Sequence, residues 1–201
     1  MTMRKKLLIT IACLSCILCI MVTGTIAWLI DDTETITNTF TPSNITVELK
    51  ETGTTNNKQE FQMIPGKTYA KDPLVTVTTD IPCYVFVEVE ADLGVWSTYG
   101  NFADFYTYSV VTGQNGWTKL ESVNNVYYRE VSTSGSFYVL NGIGEYTNGA
   151  ITVNGANVTK AMMDALVAAG SSNYPTLKFT AYACQKEGFN SAALAWAEIN
   201  K

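Results

Sequence analysis

The sequence predicts a mainly β protein, an antiparallel sandwich or barrel with two short helices, preceded by an N-terminal signal helix. Short segments rich in Val, Ile, Thr, Tyr and Phe recur through the chain, and several alternate apolar with polar residues, the period of two that sends successive side chains to opposite faces of a sheet. Their separators are turn-like (GQNG, SVNN, STSG), and only two stretches carry helical apolar spacing. Ahead of them, Arg4, Lys5 and Lys6 precede an apolar run from Leu7 to Val22 and the small-residue pattern Thr25-Ile26-Ala27, the order of an export signal and its cleavage site.

Cleavage between Ala27 and Trp28 would divide the chain into a signal peptide, 1–27, and a single domain, 28–201, long enough to bury a core. The run Leu7 to Ile30 is also compatible with an uncleaved anchor, since roughly 20 apolar residues span a bilayer. Lipid attachment at Cys13, Cys16 or Cys19 is a further alternative, although none of the three has both Leu three positions before it and a small residue just before it.

In chain order, Ile45, Val47 and Leu49 alternate with Thr46, Glu48 and Lys50 as a half-buried strand does. A polar stretch, Thr52 to Glu60, breaks the pattern. Pro65-Gly66 marks a turn, proline presetting the first corner and glycine accepting positive φ at the second. Leu74 to Thr79 alternates Val and Thr, and Asp80 and Pro82 separate it from Cys83 to Ala91. Asp92 to Asp104 has no period and reads as a long loop. Phe105–Val111, Trp117–Leu120, Val126–Val131, Ser136–Leu140 and Ile151–Val153 are short strand candidates. Thr159 can cap a helix Lys160–Ala169 whose stripe is Met162, Met163, Leu166 and Val167 and whose end is Gly170. Leu177 to Lys186 is a last strand. A second helix begins at the cap Asn190, with Phe189 and Leu194 as a hydrophobic staple and Trp196 and Ile199 as its docking face.

Composition narrows the function. The signal holds three of the 13 cations and none of the 18 acids, so the exported part carries a formal charge of −8 and has no general attraction for nucleic acid or anionic membranes. Contact with a membrane is expected only through an uncleaved signal. The chain has no histidine, which removes the HExxH zinc motif and the commonest general base. No S-x-x-K motif supplies a lysine base in the exported part. No catalytic, cofactor or metal residue is therefore assigned. Glu88, Glu90 and Asp92 on one strand face, or Asp31, Asp32 and Glu34 after the cut, offer oxygen ligands for calcium, but water-facing carboxylates need no ligand. Trp96, Tyr99, Phe102, Phe105 and Tyr106 either form a binding patch or cover one end of the sandwich; the second reading is preferred.

Only Cys83 and Cys184 follow the cleavage site. Cys83 shares a face with Val85, Val87 and Val89, whereas Cys184 lies with Lys178, Thr180 and Tyr182, opposite Leu177, Phe179, Ala181 and Ala183. In regular strands the two thiols face apart and stay unpaired, an expectation that one bulge would overturn.

The segment after the cut favours an extended conformation through Ile36 and Phe40 among Thr35, Thr37 and Thr39. An extended segment can complete a neighbour's open sheet edge by main-chain hydrogen bonds, and a head-to-tail version builds filaments; pairing within its own sheet is the intramolecular alternative. The assembly residues assigned are Trp28, Leu29, Ile30, Ile36 and Phe40, within a candidate donor strand 28–42.

The order GT-I-A, WLIDD, T-F and ITVEL, with MIPGKTYAKDPLVTV from Met63 to Val77 and the close FTAYACQKEGFNSAALAWAEIN, resembles the TasA/camelysin family of Gram-positive exported proteins processed by a SipW-type signal peptidase. Residues 92–174 carry no part of this resemblance. It implies a jelly-roll-like sandwich that polymerises through its N-terminal strand into cell-surface or biofilm-matrix fibres. The implied partners are the processing peptidase, further copies of the chain and other matrix proteins, and the implied location is extracellular. The peptidase activity attached to camelysin has no ligand set here to receive it. A secreted peptidase and a monomeric adhesin using the 92–104 loop stand as alternatives.

Overall fold

The computed structural model describes residues 44–54 and 58–201, together with Met3 and Lys5. Apart from Met3 and Lys5, the expected signal peptide, its expected cleavage site and the segment up to residue 43 lie outside the described residues. From Pro42 the chain forms one unit. It is mainly β, with antiparallel pairing throughout and short helices.

Among the described residues ten strands form three sheets. β1 (Ile45–Lys50), β3 (Leu74–Thr79) and β8 (Gly135–Tyr138) form a sheet in the order β1-β3-β8. β10 (Thr176–Gln185), β4 (Cys83–Asp92), β7 (Val126–Val131) and β6 (Thr118–Lys119) form a second, in that order. β2 (Thr68–Ala70), β9 (Ala150–Val153) and β5 (Tyr106–Thr107) form a small third.

The first two sheets pack face to face because alternation gives each an apolar inner side. Val75 and Val77 of β3 and Val85 and Val87 of β4 are all 0% exposed within one cluster, and each such burial contributes about 1.5–3 kcal/mol. Ile45, Val47, Leu49, Leu177, Phe179, Ala181 and Ala183 pack against its margin. β1, β3 and β7 hold the residues expected of them, and β4 and β10 differ by a single residue at each shifted end.

The other face of the second sheet is covered as well. Helix α3 (Ala192–Ile199) lays Ala192, Ala195 and Trp196 over Tyr84, Phe86 and Val126. Its cap is Ser191, whose hydroxyl accepts from Leu194 N–H, not Asn190. The shift by one residue turns Leu194 outward to 55% exposure, so the expected Phe189–Leu194 staple does not form. Helix α2 (Lys160–Ala169) has the expected bounds, with the Thr159 hydroxyl accepting from Met162 N–H. Its buried stripe is narrower than expected: Met162 and Leu166 are buried, Met163 is half-buried, and Val167 is 81% exposed.

The long loop expected at 92–104 is ordered structure. A 3-10 helix, Gly94–Thr98, is followed by the one-turn α1 (Phe102–Phe105). Asp104 Oδ2 accepts from Asn101 N–H at 2.7 Å, a local bond that starts a turn of helix where the sequence shows no apolar period. Phe105 consequently ends a helix, and of the strand expected at Phe105–Val111 only β5 and a bridge from Val110 to Leu140 remain. The Pro65-Gly66 turn forms as expected: Lys67 N–H reaches Ile64 O at 3.1 Å, with Gly66 at φ 84°.

Candidate functional site

Ala27, Trp28, Leu29, Ile30, Ile36 and Phe40, assigned to processing and assembly, lie outside the described residues. Among the described residues, both sides of the sandwich end in strands with a strand partner on one side alone.

On one side, β1 ends the first sheet and β10 ends the second. The inward residues of both strands are half-buried, in contrast to the fully buried valines of β3 and β4. Several Cα pairs of β1 and β10 approach within 8 Å, so the two edges converge. Lys71 ties them: its Nζ lies 2.7 Å from Glu51 Oε2, just after β1, and 5.4 Å from the ring centroid of Phe179 on β10. Beside it Asp72 accepts from Thr52 N–H at 3.0 Å and from the Thr52 hydroxyl at 2.6 Å.

On the opposite side, β8 ends the first sheet, and β6 flanks β7 only at Tyr127 and Tyr128. From Arg129 onward β7 is itself an edge. Arg129 has the parity of Tyr127 and Val131, which both belong to the sandwich core, so its side chain enters the gap between the sheets. The guanidinium carbon lies 3.6 Å from the Phe137 ring centroid and 5.7 Å from that of Trp117. Its Nε is buried without a hydrogen-bond partner, and among the described residues no carboxylate pairs with it. Burial pushes the Arg129 guanidinium below its ordinary value. Trp117 is fixed beneath it, donating its indole N–H to Tyr138 O at 2.9 Å. Neither Arg129 nor Lys71 was among the sequence candidates. Parity along VYYREV points to an inward arginine, whereas nothing local in the sequence marks Lys71.

The aromatics of 96–106 cover one end of the fold. Trp96 is 0% exposed, Phe105 3% and Tyr106 7%, and only Tyr99 is largely open, at 50%. Trp96 donates its indole N–H to Met162 O at 2.9 Å, binding this stretch to α2. Burial pushes Tyr106 above its ordinary value.

Cys83 and Cys184 are free. Cys184 stands opposite Tyr84 and Gln185 opposite Cys83, so the thiols occupy opposite faces of the sheet, as parity requires. Cys83 joins the sandwich core and Cys184 packs under α3. Glu90 and Asp92 face solvent, and Glu88 accepts from the Tyr182 hydroxyl at 3.3 Å. Among the described residues no three His, Cys, Asp or Glu side chains gather as metal ligands, and no helix is long and apolar enough to cross a membrane. No family model, curated protein or solved structure matches the chain.

Proposed function

We propose that this chain is an exported structural subunit of the cell surface or biofilm matrix, a jelly-roll-like sandwich that assembles into fibres. A SipW-type peptidase releases Trp28 as the new N-terminus. The segment Trp28–Phe40 of one copy then pairs with an open sheet edge of the next. The reaction is assembly rather than catalysis: main-chain hydrogen bonds supply affinity, and the alternating Ile36 and Phe40 set register.

The single observation that carries this reading is that both sides of the sandwich end in strands whose outer backbone groups have no strand partner among the described residues. An unpaired edge is a template for a further strand, and the sequence places a Thr-rich segment with residues that favour an extended conformation immediately before β1. Negative-stain microscopy of two purified chains at matched concentration, one starting at Trp28 and one at Ser43, tests it. Filaments are expected from the first alone; a first chain that stays monomeric at high concentration defeats the reading.

A further inference from the structure

The two edges are not equivalent. We propose that the donated segment is received at the β7–β8 corner, where Arg129 takes a carboxylate from the acidic run Asp31-Asp32-Thr33-Glu34 of a second copy. This rests on the strand-donation reading above and adds to it the acceptor edge, the receiving residue and the chemistry that selects the donor.

The β1–β10 side is the poorer acceptor for steric reasons. A strand inserted between two others needs its flanking strands about 9.5 Å apart, twice the hydrogen-bonded spacing. β1 and β10 approach within 8 Å and are held there by Lys71, which touches Glu51 and Phe179. Because their outer edges converge, a strand paired to either would occupy the space of the other.

At the β7–β8 corner one cationic side chain, Arg129, lies over Phe137 and Trp117 in the gap between the sheets. Tyr138 turns its carbonyl outward to the Trp117 indole. By the alternation of an antiparallel ladder, Ser136 also presents its N–H and C=O away from β3. Past Tyr138 the same edge is met by Val111, whose N–H donates to Val139 O at 2.9 Å, and by the Val110–Leu140 bridge, so a docked strand is confined to the start of β8, next to Arg129.

Arg129 then sets a condition on that strand. An apolar segment laid over the corner would complete the burial of a guanidinium that has no carboxylate partner among the described residues, a large desolvation penalty. A segment that brings a carboxylate instead forms a charge-assisted pair with the guanidinium, already oriented by Phe137 and Trp117. The same inward charge excludes unrelated apolar edges, a protective device of edge strands. Three acids within four residues, Asp31, Asp32 and Glu34, stand in the proposed donor, so the charges are complementary. Topology agrees: the donor leads into β1, and β8 is the opposite edge of the same sheet. Donor and acceptor thus use different surfaces, and the contact propagates head to tail instead of closing on itself.

The test is a charge exchange in the chain beginning at Trp28, read as the critical concentration for filaments by sedimentation and microscopy, with thermal melting as the folding control. Arg129→Glu, and separately the set Asp31→Lys, Asp32→Lys and Glu34→Lys, should each raise the critical concentration at least about tenfold, and combining them should restore assembly. Arg129→Gln, which removes the charge and shortens the side chain without introducing an acid, should weaken assembly while thermal melting still shows a folded chain; it carries the test if Arg129→Glu fails to fold. Filaments formed equally well by the Arg129 variants overturn this acceptor and leave strand donation standing. Loss of assembly in both charge variants without rescue by their combination overturns the pairing. An unsubstituted chain that forms no filaments overturns both proposals.

Discussion

Lys71 and Glu51 form an ion pair with 2.7 Å between Nζ and Oε2, each side chain only 11% exposed. The pair joins the end of β1 to the segment between β2 and β3, and Phe179 of β10 lies against the same ammonium. Removing one partner of a buried pair leaves an uncompensated charge, at a cost of about 3 kcal/mol or more. Glu51→Gln should lower stability by that amount in denaturant unfolding. The double variant Lys71→Met with Glu51→Leu should recover most of the loss. A Glu51→Gln midpoint equal to that of the parent would show that water, not Glu51, satisfies Lys71.

Burial pushes the Cys83 thiol above its ordinary value of 9.0, partly opposed by a hydrogen bond with Thr79. Cys184 is raised by burial and then by the neighbouring Cys83. For groups whose folded value is raised, the stabilisation is present below the unfolded value and is lost as pH rises through the folded one. The urea midpoint should accordingly fall as pH rises past the ordinary thiol value of 9.0. Replacing both cysteines by Ala should flatten that fall, leaving the contribution of buried tyrosines such as Tyr106, and a slope unchanged in this variant would assign the effect elsewhere. In the native protein neither thiol should form a disulfide with the other, which mass measurement under oxidising conditions checks.

The cap of α3 is open to a direct comparison. Ser191→Ala removes the acceptor of Leu194 N–H and should cost about 1 kcal/mol. Asn190→Ala should change stability by a few tenths at most. Reversal of that order in thermal melts would return the cap to Asn190.

Gly94 has φ 53°, and a Cβ there would lie 2.0 Å from the carbonyl oxygen of Asn173. Gly94→Ala must displace backbone as well as adopt a strained angle. The expected result is a loss of about 2 kcal/mol or more, with faster amide exchange in α2 than in the sandwich core. Tyr99→Ser, at the open aromatic, should leave both measurements unchanged.

Much of the sandwich was legible because alternation acts within a single strand. The valines of β3 and β4, the parity of Cys83 and Cys184, the Pro65-Gly66 turn and the bounds of α2 all follow from residues close in sequence. Reading failed where a local bond or a tertiary contact decided the outcome. Asn101 and Asp104 start a helix in a stretch with no period. Ser191 displaces Asn190 as a cap because the register that buries Ala192, Ala195 and Trp196 is the one that turns Leu194 to solvent. Val167 belongs to the apolar stripe by spacing, but α2 presents only Met162 and Leu166 fully to the core.

By itself, then, the sequence determined the strand-rich character, the inner faces of the central strands and the absence of imidazole. These depend on composition and on periods that a few adjacent residues define. Only the tertiary structure decided that β1 converges on β10 across Lys71, and that Arg129 lies between Phe137 and Trp117 at the opposite corner with no carboxylate partner among the described residues. The reason is physical: edge strands, buried ion pairs and aromatic cradles are made by residues far apart in the chain. No short-range period encodes which edge strands converge.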